Sequence, residues 1–208
     1  MLNVEANKWE FLELLKSITR EGAAVDKLGY KLTHSDFFTA PCSLKNHLAV
    51  PGGVCFHSLN TYKQLKLLCD TYCPGRYSED TIKIVGLLHD LDLMDKYEIT
   101  SKNVKKYSET GSKKDELGRF DWVAERGYTI KEPENRFLYG HHGQNSEYLI
   151  RGYIPLTLEE SQAVNNHMGG AYEDYRSYDL SAIFAASPLA ALLHAADFIS
   201  SYVLDKDE

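Results

Sequence analysis

The chain has 208 residues, of which 43% are hydrophobic and 25% are charged, and its 23 basic and 30 acidic side chains give a net charge of −7. This length suits one domain with a full hydrophobic core, and the composition is that of an ordinary globular protein. The acidic balance argues against stable binding to duplex nucleic acid, which depends on a basic surface. A small phosphorylated substrate remains compatible, because a metal site supplies its own local positive charge.

Membrane segments and oxidised cysteines are not expected. No apolar stretch approaches the roughly 20 residues that a spanning helix needs, and the N-terminus lacks the basic start and apolar core of a signal peptide. The four cysteines form no CxxC pair, so we expect reduced thiols at Cys42, Cys55, Cys69 and Cys73. Together these features predict a cytoplasmic protein with no membrane partner.

The first half of the chain shows helical patterns. Apolar residues at helical spacing predict an amphipathic N-terminal helix within residues 8–20 that packs on the core. Residues 30–50 are expected to hold a short helix and loops, and residues 56–73 a long helix that stops before a Pro-Gly pair. Ser78 is the predicted N-cap of the next helix, which ends at His89-Asp90.

The second half contains an insertion of different character. Residues 98–132 are rich in lysine, glutamate, glycine and β-formers, and we expect a β-hairpin or lid there, with 128–130 paired near 104–107. Helical patterns return at 144–150, at 158–167 with Thr157 as N-cap, and at 188–203. The last four residues are expected to be solvated. The predicted architecture is an all-α bundle, one domain over residues 1–208, with this small β insertion.

An ordered series of histidines and aspartates carries the chemistry of the chain. Its members are His57, His89, Asp90, His142, His167 and Asp197. Imidazole nitrogen and carboxylate oxygen are ligands for divalent first-row metals, and bundle cores assemble such sites from separate helices. A carboxylate has two oxygens and can join two ions, whereas a histidine cannot act in this way. The series therefore predicts a pair of metal ions.

The local contexts of these residues resemble the HD-domain superfamily of metal-dependent phosphohydrolases, in particular a small single-domain bacterial and phage branch. Residues 52–59 resemble its Gly-Gly-…-His-Ser-Leu motif, and 86–91 resemble its His-Asp core. Residues 142–146 are similar to a His-Gly-Glu-Lys-Ser segment, 166–169 to Trp-His-Met-Gly, and 188–197 to the closing helix. Each piece alone is weak, but five in order span most of the chain.

The resemblance implies a fold, a ligand set and an activity. The fold is the HD-domain helical bundle. His57, His89, Asp90 and Asp197 would hold one ion, and His142 and His167 the second, with Asp90 as a bridge. The cofactors would be two divalent transition metal ions, with manganese, iron, zinc and nickel all open. The activity would be hydrolysis of a phosphate ester of a nucleotide-like small molecule by a hydroxide shared between the ions.

One departure from the family pattern concerns the substrate. Many relatives carry a lysine shortly after the His-Asp pair, where this chain has Leu93, and Asp92 replaces a glycine or cysteine. Lys96 lies one turn further on and is a candidate replacement. Asp90 is expected to orient the nucleophile, and His194, His141 or Lys96 to protonate the leaving oxygen.

Further polar residues are weaker candidates. His47, Lys105 and Arg119 are predicted to contact the substrate. His141 competes with His142 for one ligand position, and the resemblance favours His142.

Two other functions are compatible with the same residues. An HD-type di-iron oxygenase uses the same six-residue series with dioxygen, and a non-catalytic nucleotide-binding or sensor protein would explain the missing lysine. The sequence leaves open the native metal, the choice between mono- and diesterase, and the oligomeric state, including a homo-oligomer.

Overall fold

The computed structural model describes residues 2–45, 47–169 and 177–205. The helices in these ranges are α1 (Val4–Lys16), α2 (Val25–Thr33), α3 (Gly53–Tyr72), α4 (Glu79–Leu88), α5 (His142–Arg151), α6 (Leu158–Asn166), α7 (Ser177–Ala186) and α8 (Pro188–Ile199). The strands, which lie between α4 and α5, are β1 (Tyr97–Tyr107), β2 (Lys113–Asp115) and β3 (Gly118–Ile130). A 3₁₀ turn covers Leu91–Leu93, and a π-helical turn covers Ser200–Leu204.

The core of the protein surrounds α3. This helix packs against α1, α4 and α8, and α6 packs against both α5 and α8. At the α1 side, Phe11 makes edge-to-face contacts with Phe37 and Phe38 of the segment after α2, with ring centroids 5.1 and 5.6 Å apart. Such arrangements suit the quadrupoles of aromatic rings. The helical bundle therefore has α3 as its common support, and α3 carries His57 near its beginning.

Local capping signals determine where several helices begin. The Ser78 hydroxyl accepts a hydrogen bond from the Thr81 amide at 3.1 Å, as predicted for the start of α4. Thr157 and Glu160 form a reciprocal capping box at the start of α6, with hydrogen bonds of 3.2 and 2.8 Å. The first helix begins earlier than the predicted 8–20, because the Asn3 side chain accepts from the Ala6 amide and caps it. These caps satisfy amides that have no partner within the helix.

The predicted β insertion is a three-stranded antiparallel sheet in the order β1-β3-β2. Its register differs from the prediction, since Tyr128 pairs with Ile99 and Val104 pairs with Val123. The strands are longer than expected, so the pairing extends over the whole of β1 rather than joining 128–130 to 104–107. Tyr97 is buried against the core and Tyr128 packs partly against it, both near the base of the sheet.

The fold is predominantly helical, as predicted, but not all-α. Helices make up 53% of the structure, and the three-stranded sheet occupies the segment predicted to form a β-hairpin or lid. Helix α7 is not anticipated by the sequence patterns. Across the described residues no single helix has the length and apolar character needed to cross a membrane; Asp179–Ala186 and Pro188–Leu204 meet that test only as a pair bent by 107°.

Candidate metal centre

Close helix contacts bring the first two histidines together. His57 lies in the first turns of α3, and His89 follows the last residue of α4. The two helices approach closely at Gly86, where an added Cβ would lie 2.8 Å from the Tyr62 Cα. Because Gly86 precedes His89 by three residues, this approach places His89 beside α3. The two imidazole rings are 5.1 Å apart between centroids.

A second close contact joins the other pair of histidines. His142 opens α5, and His167 follows the last residue of α6. Here an added Cβ on Gly143 would lie 2.4 Å from the Asn165 carbonyl oxygen. The absence of a side chain therefore lets the start of α5 lie against the end of α6. The His142 and His167 rings are 5.0 Å apart.

Asp90 lies between the two pairs because α4 ends before it. Its backbone has φ −103° and ψ 24°, outside helical geometry, and the 3₁₀ turn of Leu91–Leu93 follows. On a continuous helix, the side chains of His89 and Asp90 would diverge by about 100°. The break lets both point into the same buried space, where His89 Nε2 lies 3.7 Å from Asp90 Oδ2.

The two oxygens of Asp90 face different histidines. Asp90 Oδ1 lies 2.6 Å from His142 Nε2 and 3.2 Å from His167 Nε2. Asp90 Oδ2 lies 3.6 Å from His57 Nε2 and 3.7 Å from His89 Nε2. This is the arrangement of a carboxylate between two subsites.

Asp197 completes the subsite on the α3 side. It lies within α8, and its Oδ1 is 3.2 Å from His57 Nε2. The same oxygen accepts a hydrogen bond from Ser201 at 3.2 Å. All six residues of the predicted series are thus gathered in one cluster, in which His57, His89 and Asp197 form one compact group and His89, Asp90 and His167 form another.

The four imidazoles share a common orientation. In each ring, Nδ1 faces an oxygen that can only accept a hydrogen bond, and Nε2 faces the centre. In His142 and His57, Nε2 also lies near a carboxylate oxygen, so a metal ion bound there would displace any proton on that nitrogen. The acceptors are Gly86 O for His89 at 3.0 Å, Val164 O for His167 at 2.7 Å, Asp205 Oδ2 for His57 at 2.6 Å, and Asp92 Oδ1 in close contact with His142.

This donor set fits divalent metal ions. His57 Nε2 and His89 Nε2 are 3.1 Å apart, and two nitrogens bound to one ion at about 2.1 Å are separated by roughly 3.0 to 3.4 Å. His167 Nε2 is buried and lacks a hydrogen-bond partner among the described residues. A buried polar atom without a partner is costly, and a metal ion would satisfy it.

The electrostatics of the cluster also favour positive charge at its centre. Burial opposes ionisation, but the neighbouring His89 and His142 hold the pKa of Asp90 well below its usual range. Burial likewise opposes charge on His142, yet Asp92 and Asp90 raise its pKa to about 10. Burial lowers the pKa of His89 to about 4, which keeps that imidazole neutral at pH 7. At pH 7 a protonated His142 therefore balances part of the charge of the two carboxylates, a bound metal ion would replace that proton, and His89 offers a free lone pair.

The structure places the other predicted catalytic residues around the cluster. His194 is half-buried, and its Nδ1 donates to the backbone carbonyl of His167 at 2.6 Å. Lys96 is held by Asp92 at 3.1 Å, so its charge is already paired. His141 is exposed and precedes α5, which leaves the inward position to His142.

The three predicted substrate contacts lie in two different regions. His47 is beside the cluster, with its ring 5.4 Å from that of His57 and its Nε2 3.4 Å from the Ser201 hydroxyl. Lys105 instead pairs with Asp115 at 2.6 Å on the sheet, and Arg119 donates to the Gly111 carbonyl at 3.1 Å. The described contacts of these two residues stay within the sheet region and do not link them to the histidines.

Two carboxylates of the site were not predicted. Asp205 belongs to the tail expected to be solvated, yet it is fully buried and also accepts from Asn60 at 2.7 Å. The expectation was wrong for Asp205, because the π-helical turn after α8 folds it back onto α3; residues 206–208 lie outside the described part of the chain. The sequence marks Asp92 only as a departure from the pattern of the resembled family, and its position two residues after Asp90 is the one local signal of its role. It is buried against His142.

Comparisons of the chain with protein-family models, with curated proteins and with solved structures give no significant match.

Proposed function

We propose that this protein is a metal-dependent phosphohydrolase of the HD type, which hydrolyses a phosphate ester of a nucleotide-like small molecule. One observation carries the proposal: four imidazoles, those of His57, His89 and His167 buried and that of His142 largely so, direct Nδ1 at acceptor oxygens and Nε2 toward two carboxylates. Histidines that serve only the packing of a core have no reason to share this orientation. Metal-ligating histidines have it as a rule, because the second nitrogen is held by an acceptor.

The position of Asp90 supports two ions rather than one. Its two oxygens face different histidine pairs, so His57, His89 and Asp197 would hold one ion with Asp90, and His142 and His167 would hold the other. Bound divalent ions would acidify a coordinated water and neutralise charge on a phosphate. The protein's own contribution is to orient the imidazoles and to exclude bulk water, since His57, His89 and His167 are buried.

The surroundings suggest how substrate and protons are handled. His47 is half-buried beside the cluster and is the nearest predicted substrate contact. His194 is the best placed of the three candidate proton donors, because Lys96 is paired with Asp92 and His141 is exposed. Leu93, which stands where the HD family that the chain resembles often has lysine, is buried in the core and leaves no cation at that position.

The test is elemental analysis followed by an activity panel. The purified protein would be analysed for manganese, iron, zinc and nickel, stripped with a chelator, reloaded, and assayed on aryl phosphate mono- and diesters and on nucleotides. The variant D90N removes the central charge with little change in shape, and we expect it to lose both metal and turnover. The control is D80N, since Asp80 is a carboxylate that binds Thr19 outside the cluster.

The possible results separate the candidate functions. Metal-dependent turnover that is lost in D90N and kept in D80N would support the proposal. Undiminished turnover in D90N would refute it. Iron with dioxygen consumption would favour the oxygenase, and metal binding without turnover on any ester would favour a binding or sensor protein.

A further inference from the structure

Two carboxylates outside the predicted ligand set each contact one histidine of the cluster at the ring nitrogen that faces away from the centre. Asp205 Oδ2 lies 2.6 Å from His57 Nδ1, and Asp92 Oδ1 is in close contact with His142 Nδ1. Both carboxylates are buried, Asp205 completely. A buried carboxylate is costly unless it is paired, so each must serve a definite partner. In both cases that partner is the nitrogen on the outer side of an imidazole whose other nitrogen faces Asp90 or Asp197.

We propose that Asp205 and Asp92 are positioning residues, each for one of the two metal subsites. Asp205 holds the His57 ring so that Nε2 faces Asp197, and Asp92 holds the His142 ring so that Nε2 faces Asp90. The inference rests on the proposed metal site. It goes further by assigning a different positioning carboxylate to each subsite, Asp205 to that of His57 and Asp92 to that of His142.

Asp205 and Asp92 differ in the partner that binds their second carboxylate oxygen. The second oxygen of Asp205 accepts a hydrogen bond from the neutral amide of Asn60 at 2.7 Å. The second oxygen of Asp92 instead pairs with the Lys96 ammonium at 3.1 Å. Apart from its histidine, Asp205 is therefore held by a neutral amide, whereas Asp92 is held by a lysine. Replacing Lys96 should consequently change the His142 subsite and leave the His57 subsite unaltered.

An acceptor behind an imidazole acts on the metal in two ways. It fixes which nitrogen carries the proton, and it makes the other nitrogen a stronger base toward the ion. Loss of such a partner typically costs 10- to 100-fold in metal affinity. We expect that size of effect for D205N on one of two binding events, and a similar effect for D92N on the other. The asparagine variants preserve side-chain volume while removing the charge.

The experiment is isothermal titration calorimetry of Mn²⁺ into the metal-stripped full chain. It is carried out on the unaltered protein, on D205N, on D92N and on the double variant. D80N is the control, because Asp80 also accepts two hydrogen bonds but lies outside the cluster. We expect each single variant to weaken the binding of a different one of the two Mn²⁺ ions, and the double variant to weaken the binding of both. D80N should bind both ions with the affinity of the unaltered protein.

A second measurement separates positioning from a general loss of structure. Imidazole ¹⁵N spectra of the metal-stripped protein report which nitrogen of each ring is protonated. D205N should change the signals of His57 and leave those of His142 in place, and D92N should do the reverse. A purely structural role would disturb both rings together.

The outcomes distinguish this inference from the proposed function. If the unaltered protein binds no metal, the proposed function is refuted and the inference with it. If it binds two ions and D205N and D92N bind them with unchanged affinity, or both weaken the same event, only the inference is refuted.

Discussion

The contact between α5 and α6 offers a direct test of how the fold assembles the site. In Gly143→Ala, the new Cβ would lie 2.4 Å from the Asn165 carbonyl oxygen and 2.6 Å from that of Val164. Ordinary contact begins near 3.4 Å, so the start of α5 must move by about 1 Å. Both obstacles are backbone atoms, which cannot rotate away as a flexible side chain would.

The magnitude follows from two opposing effects. Overpacking of this kind typically costs about 1–3 kcal/mol. Replacement of glycine by alanine in a helix returns up to about 1 kcal/mol. We therefore expect Gly143→Ala to destabilise the protein by roughly 1–2 kcal/mol, measured by urea unfolding of the metal-stripped chain. Because His142 is the neighbouring residue, Mn²⁺ affinity at one subsite should fall as well.

Gly29→Ala is the matched control. Gly29 lies inside α2, and its added Cβ would meet only Leu15 and Leu12 side-chain atoms at 3.8 and 3.9 Å, which is ordinary contact. This variant should be as stable as the unaltered protein or more stable by up to about 1 kcal/mol. Equal stability of the two variants would contradict the claim that helix contact at Gly143 sets the position of His142.

Three further predictions concern stability. Glu160 is buried against Arg20, and its two carboxylate oxygens lie 2.5 and 2.6 Å from the guanidinium. Burial by itself would raise the pKa of Glu160, but the contact with Arg20 outweighs it and lowers that pKa. The contribution of ionised Glu160 to the free energy of unfolding is complete above the unfolded pKa near 4.5 and is lost as pH falls through the lower folded pKa. Glu160→Gln should therefore cost about 3–5 kcal/mol at pH 7. In urea unfolding measured at several pH values, the variant should lose less stability on acidification than the unaltered protein. Thr157→Ala should cost about 0.5–2 kcal/mol by removing the α6 cap, and circular dichroism melts that match the unaltered protein would argue against that cap. Mn²⁺ at about 100 times its dissociation constant should stabilise the unaltered protein by about 2.7 kcal/mol for each ion bound and D90N by much less, as measured by unfolding with and without chelator.

Local features of the structure were accessible from the sequence. Ser78 and Thr157 were recognisable as caps because a cap depends on residues three positions apart. The helical segments were recognisable because their apolar periodicity is local. The histidines and aspartates of the candidate site could also be selected, since each sits in a distinctive local context, and the structure gathers five of them in two compact groups, with His142 in contact with Asp90. Whether they bind metal is still a prediction.

Contacts between residues far apart in the chain determine the features that the sequence does not predict. Asp205 meets His57 across 148 positions of the chain, and an acidic tail gives no local sign that it will be buried. The pairing of Tyr128 with Ile99 depends on where the turns of the sheet fall, which composition does not define. The sequence by itself determined which side chains are available to hold metal. Only the tertiary structure decided which acceptor lies behind each imidazole and which oxygen of Asp90 faces which pair, because those relations exist only once α3, α4, α5, α6 and α8 are packed together.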